Sequence, residues 1–226
     1  MSAQKSILIL GIGNVLWADE GFGVRTVETL ARRYSFPESV TLMDGGTQGL
    51  YLLEHVQAAD VLIVFDAVDY GLSPGSLKYI EGDDVPNYLG AKKMSLHQTG
   101  FQEVLATAEM LGDSPEQIML IGVQPEELED YGGSLCDSVK AQIEPAIRLA
   151  LQALAELGIH PNAKQPDDEQ AKAALDLARY EAERPSATDA LRKGDARIVF
   201  SKAYEMAPRA GLADAISVDV DHRGKY

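Results

Sequence analysis

Three residues of metal-binding type each follow a strand-like run or sit in a turn-rich loop. Glu20 lies in GIGNVLWADEGFG (residues 11–23), Asp66 directly follows the apolar run VLIVF, and His97 lies in KKMSLHQTG. Two carboxylates and one imidazole suit a divalent transition metal and leave coordination positions open for another ligand. No His-Glu-x-x-His pair occurs, so the two-histidine helix of common zinc proteases is excluded. Each residue also has a structural reading. Asp19 and Glu20 suit the start of a helix, where carboxylates meet the positive end of the dipole. Asp66 suits a turn, and Asp69, three residues on, is an alternative carboxylate expected to be exposed. His55 falls in a predicted helix, His160 precedes Pro161, and His222 lies near the C-terminus.

A strand running into Gly-x-Gly also raises a dinucleotide site. That fingerprint wants a third glycine at the sixth position, and Leu16 stands there. It also wants an acidic residue roughly 20 positions further on, at the end of the second strand. Asp44 comes later than that and is followed by Gly45-Gly46. The nucleotide reading is therefore the weaker alternative. The glycines 11, 13, 45 and 46 are expected to allow tight turns and close backbone approach.

The elements that must position these residues alternate in type. Ser6–Leu10 is an unbroken apolar run, as in a strand buried on both faces. Residues 23–34 place Val24, Val27, Leu30 and Ala31 at helical spacing. Strands are predicted at 40–43, 61–65, 76–80 and 117–123, and helices at 48–56, 101–111 and 139–157. The last helix is stopped by Gly158 and Pro161. His97 is expected just ahead of the helix that begins near Thr99. The alternation predicts an α/β fold with a mostly parallel sheet and helices on both faces. Ligands in such sheets bind at the carboxyl ends of the strands, which is where Glu20, Asp66 and His97 fall.

Composition narrows the partners. The chain has 226 residues, 46% hydrophobic, and a formal net charge of −15. Residues 1–163 carry nine Lys and Arg against 23 Asp and Glu, so the acidity belongs to that part. An acidic body repels nucleic acid and anionic membranes, and neither is an expected partner. No run approaches the roughly 20 apolar residues of a membrane span, and no signal peptide is recognised, so the cytoplasm is the expected location. The single cysteine, Cys136, excludes a disulfide framework and a cysteine-based zinc site. It has no adjacent base and reads as a small hydrophobe. Two domains are expected: 1–163, holding the α/β body, and 164–226, a partly helical or weakly ordered extension. The extension includes a helix predicted over 167–183 and short apolar patches at 199–200 and 216–218, and it carries no catalytic motif.

The stretches GIGNVLWADEGFGVR, LMDGGTQG, FDAVDYG, KKMSLHQTG and GVQPEELEDYGGSL, in this order across about residues 5–160, resemble the maturation endopeptidases of [NiFe] hydrogenases, nearest to those serving uptake enzymes. The resemblance implies a three-layer αβα sandwich with a five-stranded sheet. It implies that Glu20, Asp66 and His97 form the catalytic, metal-binding set. It implies that Asp44, Gly45, Gly46 and Thr47 belong to a substrate-recognition box. The implied activity is removal of a C-terminal peptide from the precursor of the hydrogenase large subunit after nickel insertion. The nickel would come with the substrate, and other divalent metals would be able to take its place. A chaperone that senses the metal without cutting would use the same residues, and stands as the alternative beside the Rossmann-like nucleotide enzyme. Trp17, beside the carboxylates, suits either contact with the substrate or a core anchor.

Overall fold

The computed structural model describes residues 5–89, 96–164 and 176–183. The chain divides into two units, Met1–Arg184 and Pro185–Tyr226, the second outside the described residues. In the first unit, five strands form one sheet: β1 (Ile7–Ile12), β3 (Val40–Gly46), β4 (Val61–Ala67), β5 (Leu77–Glu81) and β6 (Gln117–Val123). Their order across the sheet is β3-β1-β4-β6-β5. The first four run parallel, and β5 closes one edge antiparallel to β6.

The side-chain alternation of the strands divides the core in two. On one face Ile7 and Ile9 of β1 and Val61, Ile63 and Phe65 of β4 meet the helices α1 (Phe22–Arg33) and α6 (Ile143–Glu156). On the other, Leu8, Leu10, Ile12, Leu62 and Val64 meet α2 (Leu53–Gln57), α3 (Asp84–Leu89) and α4 (Leu96–Leu111). This is the expected αβα sandwich. β1 and β4 are buried along their whole length, as their unbroken apolar sequences require.

Several boundaries differ from expectation for local reasons. The predicted helix 139–157 is two helices, α5 (Asp137–Lys140) and α6. Pro145 has no N–H to give the Ala141 carbonyl, so the helix restarts with Pro145 in its first turn. The predicted helix 48–56 opens as a 3₁₀ turn at Gly49–Leu52 and continues as α2. β3 runs on through Asp44-Gly45-Gly46, because Gly11 pairs with Asp44 while Ile12 pairs with Gly46, leaving Gly45 as a bulge. A two-stranded ribbon, β2 (Tyr34–Ser35) with β7 (Asn162–Ala163), and helix α3 carry too little pattern to be foreseen. Of the helix expected over 167–183, the structure contains α7 (Leu177–Glu183); residues 165–175 and the patches at 199–200 and 216–218 lie outside the described residues. No helix among the described residues is long and apolar enough to cross a membrane.

Candidate active site at the carboxyl edge of the sheet

The parallel register places the predicted residues along one end of the sheet. Asp44 stands level with Gly11, and Phe65 pairs with Gly11 from the other side. Asp66 is therefore one step beyond that row, beside Gly122 of β6. Asp66 is fully buried, and its Oδ1 accepts the Ala67 N–H at 2.7 Å. Sequence reading stopped the strand at Phe65, but Asp66 is inside β4. A carboxylate buried at a strand end is tolerated only where groups nearby compensate its lost hydration.

Glu20 reaches the same edge through the β1–α1 connection. That connection is a tight loop ending in a 3₁₀ turn, Ala18–Gly21, which contacts β4 and leads directly into α1. Two glycines make this close approach possible. A Cβ on Gly13, whose φ is +133°, would sit 1.8 Å from the Glu20 carbonyl oxygen. A Cβ on Gly23 would sit 2.2 Å from the Phe65 carbonyl oxygen and 2.3 Å from that of Ile12. Gly23 thus packs helix against sheet, the duty that a dinucleotide fingerprint gives to its third glycine.

Six amides of this loop are spent inside the protein. Gly13 N–H donates to Gly46 O, Asn14 to Glu20 O, Trp17 to Asn14 O, Asp19 to Glu127 O and Glu20 to Trp17 O, at 2.9–3.2 Å. Leu16 N–H donates to Asn14 Oδ1 at 3.0 Å. A phosphate-binding loop points such amides outward, so this bonding counts against the nucleotide alternative.

Asp19 and Glu20 are neighbours with different duties. Asp19 is fully buried. Its Oδ2 accepts the N–H groups of Glu126 (2.8 Å) and Glu127 (2.9 Å), and its Oδ1 accepts that of Cys136 (2.7 Å). Asp19 therefore staples the loop after β6 to the loop that carries Glu20. The preceding residue, Ala18, holds a left-handed φ of 38°, at a cost of about 1–2 kcal/mol that the stapled surroundings impose. Glu20 is half-buried and remains a candidate ligand.

The stapled loop adds an aromatic rim. Tyr131 pairs across to Trp17 through an isolated bridge, with the rings 5.2 Å apart edge to face. Gly132 N–H donates to Leu16 O at 2.7 Å. Trp17 is half-buried and Tyr131 is 67% exposed, so Trp17 is neither a core anchor nor a free surface residue. Asp69 is half-buried rather than exposed in its turn. Its Oδ1 accepts Gly71 N–H and Gln124 Nε2–H, both at 3.0 Å. Gln124 is the residue sequence reading missed. It is buried, and its Oε1 accepts the N–H groups of Tyr70 (2.8 Å) and Leu72 (3.1 Å), tying the loop after β4 to the end of β6. Its only signal was a polar residue ending the apolar strand IMLIGV.

His97 is the second residue of α4, so the helix starts earlier than expected, and the His97 side chain lies outside the described set. Its helix end is placed by a glycine contact: a Cβ on Gly100 would lie 3.4 Å from the Cα of Gly49, just after the Asp44-Gly45-Gly46-Thr47 box. The start of α4 thus borders the end of the Asp44–Thr47 segment. Within the box, Asp44 Oδ1 accepts the Gly46 N–H at 2.9 Å, and Thr47 is exposed. Partial burial pushes the Asp44 carboxyl above the usual carboxylate range, against the pull of the Gly46 N–H and the positive Arg25. Burial also raises Glu28, which is bonded to Arg25 at 3.1 Å. Burial, and then the nearby Asp19 charge, pushes the Cys136 thiol up to about 12. Such a thiol stays protonated and is no nucleophile near neutrality.

In an α/β sandwich with a parallel sheet the carboxyl ends of the strands are where a ligand or substrate is received, and Asp66 and the Glu20 turn lie at that edge. Comparison with known proteins gives the family. A sequence model of the hydrogenase maturation proteases matches residues 24–153. The chain is 63% identical over 201 residues to the hydrogenase expression/formation protein HoxM of Azotobacter vinelandii, covering 88% of this chain and 97% of that one. Among solved structures, the hydrogenase maturating endopeptidase HybD from E. coli superposes with a TM-score of 0.67 at 39% identity, covering 70% of this chain and 98% of that one. The [NiFe] hydrogenase maturation protease HybD from Thermococcus kodakarensis gives 0.53 at 27%, covering 66% and 98%. The chain belongs to the hydrogenase maturation protease family.

Proposed function

We propose that this protein is the endopeptidase that removes a C-terminal peptide from the nickel-loaded large-subunit precursor of a [NiFe] hydrogenase. The family membership supports the processing activity. The observation that carries the site assignment is the convergence of the Glu20 turn and the buried Asp66 on one strand edge, which the start of α4, with His97, also borders. Two carboxylates and an imidazole fit a divalent metal and leave positions for ligands that the substrate already supplies. In this reading the nickel belongs to the substrate, and Glu20, Asp66 and His97 complete its coordination. Bound nickel would supply polarisation of the scissile carbonyl or activation of a water. The chain itself would supply orientation. Asp44 and the bulged Gly45-Gly46 would receive the peptide beside the metal, with Thr47 at the exposed end of the box. The protonated Cys136 supports a route without a thiolate nucleophile. No membrane partner or nucleic acid is required, and the site of action is the cytoplasm.

The test uses a large-subunit precursor, nickel-loaded and metal-free, followed by mass spectrometry. Loss of a C-terminal peptide from the nickel form alone is the expected result. Glu20→Gln and His97→Ala should each abolish it. A stable complex without cleavage would replace the protease reading with that of a metal-sensing chaperone.

A further inference from the structure

We propose that the short helix α7, outside the α/β body, braces the active-site loop, with Glu181 as its positioning residue. The inference rests on the proteolytic reading for its functional part and on geometry for the brace. Residues 125–136 form a loop held on two sides. On one side it is stitched to the Glu20 turn: Asp19 takes the N–H groups of Glu126, Glu127 and Cys136, Gly132 bonds to Leu16, and Tyr131 meets Trp17. On the other side it meets α7. The Ser134 hydroxyl donates to Glu181 Oε1 at 2.8 Å. The Lys140 ammonium donates to Glu181 Oε2. Ser134 and Lys140 flank Cys136, whose N–H is one of the three that Asp19 holds. One carboxylate on α7 thus fixes the two ends of the segment whose middle is bonded to the residue beside Glu20.

The rest of α7 secures that placement. Asp176 pairs with Arg32 at 2.7 Å near the end of α1. Tyr180 lies under Arg25, with the guanidinium carbon 5.6 Å from the ring centre, and its hydroxyl donates to Gly133 O at 3.4 Å. Arg25 is buried in the first turns of α1 and acts electrostatically on Asp44 of the recognition box. α7 therefore lies along α1 with its second half against the loop that rims the site. None of its residues is fully buried, and Leu177 packs against the core. Seven residues so weakly covered do not hold a helix for its own stability, because isolated short helices are marginal in water. Glu181 and the Tyr180 hydroxyl reach the 125–140 segment while Asp176 and the Tyr180 ring hold to α1, which is the arrangement of a brace.

The experiment uses the full chain with Glu181→Ala, Glu181→Gln and Tyr180→Phe. Two quantities are measured: amide exchange at Glu126, Glu127 and Cys136, and kcat and KM on the nickel-loaded precursor. For Glu181→Ala we expect exchange at those amides to quicken about 5- to 10-fold and kcat/KM to fall by a similar factor, with the melting temperature unchanged within about 2 °C. Glu181→Gln keeps an acceptor for Ser134 and should recover most of both. Tyr180→Phe keeps the ring under Arg25 and should cost less than Glu181→Ala. Faster exchange with unchanged kcat/KM would overturn the functional role. Unchanged exchange would overturn the brace itself. If Glu181→Ala unfolds, Glu181→Gln decides by the same two readings. If the wild-type chain does not cleave the precursor, the proteolytic reading fails, and the exchange result still decides whether α7 braces the loop.

Discussion

Replacing Asp19 by Asn tests whether two adjacent carboxylates divide structure and chemistry between them. The Asp19 side chain is fully buried and accepts three backbone N–H groups, two on Oδ2 and one on Oδ1. Asparagine has the same shape but one acceptor oxygen. If that oxygen faces Glu126 and Glu127, the new NH₂ faces the Cys136 N–H, donor against donor; the flipped amide loses two bonds instead. One buried amide left without an acceptor costs about 1–3 kcal/mol. The two surviving bonds also lose the strengthening that the negative charge gave them. We expect a loss of about 2–4 kcal/mol, or roughly 5–12 °C in Tm for a body of this size. Asp19→Ala strands three amides and should cost more. Glu20→Gln, at a half-buried position, should lower Tm by less than half as much while abolishing cleavage. The assay is thermal unfolding followed by circular dichroism, with urea titration to confirm the order. Asp19→Asn melting within 1 °C of the wild type would refute the staple. Glu20→Gln melting below Asp19→Asn would refute the division of duties.

Three further outcomes follow from named contacts. Gly13→Ala places a methyl 1.8 Å from the Glu20 carbonyl at a φ of +133° and should cost about 3 kcal/mol or more, read by the urea midpoint; a near-neutral change would mean the loop can open freely. The Asp44 carboxyl is raised in the folded state, so its ionised form opposes folding above that raised pKa, and the penalty fades as pH falls through it. Asp44→Asn should therefore be more stable than wild type at pH 7, with the gap closing on acidification; a Tm gap independent of pH would contradict this. Cys136, with its thiol pushed up to about 12, should resist iodoacetamide at pH 7.5, and Cys136→Ala should retain cleavage; rapid inactivation by the reagent would show a thiolate.

The layered fold was legible because each strand is written in one unambiguous pattern. ILILGI and VLIVF are apolar on both faces, and only a central strand covered by helices on both sides buries them. Helix ends were less legible because they depend on single hydrogen bonds: Pro145 splits one helix by lacking an N–H, and nothing in Val139–Leu157 periodicity registers that. β3 was cut short at Met43 because glycines read as a stop, whereas here they form a bulge that continues the pairing.

The site was legible to the level of the edge and no further. Topology alone brings the ends of β1 and β4 together, so Glu20 and Asp66 had to share an end of the sheet once the strands were recognised. Which of Asp19 and Glu20 turns inward had no signature, since both are acidic residues before a helix. What separates them is a loop more than 100 residues later whose amides converge on Asp19. A buried carboxylate surrounded by N–H donors is fully satisfied as an acceptor and has no reason to recruit a metal. The half-buried Glu20 takes none of these three amides. The staple therefore does more than hold a loop: it commits Asp19 to backbone N–H groups while Glu20 stays half-buried at the same turn, and under the proposed function Glu20 is the one that would meet the substrate's metal. Gln124 likewise engages Asp69, while Asp66 is fully buried and accepts the Ala67 N–H. Distant loops thus give neighbouring acidic residues different partners, and local spacing in the sequence does not record that difference.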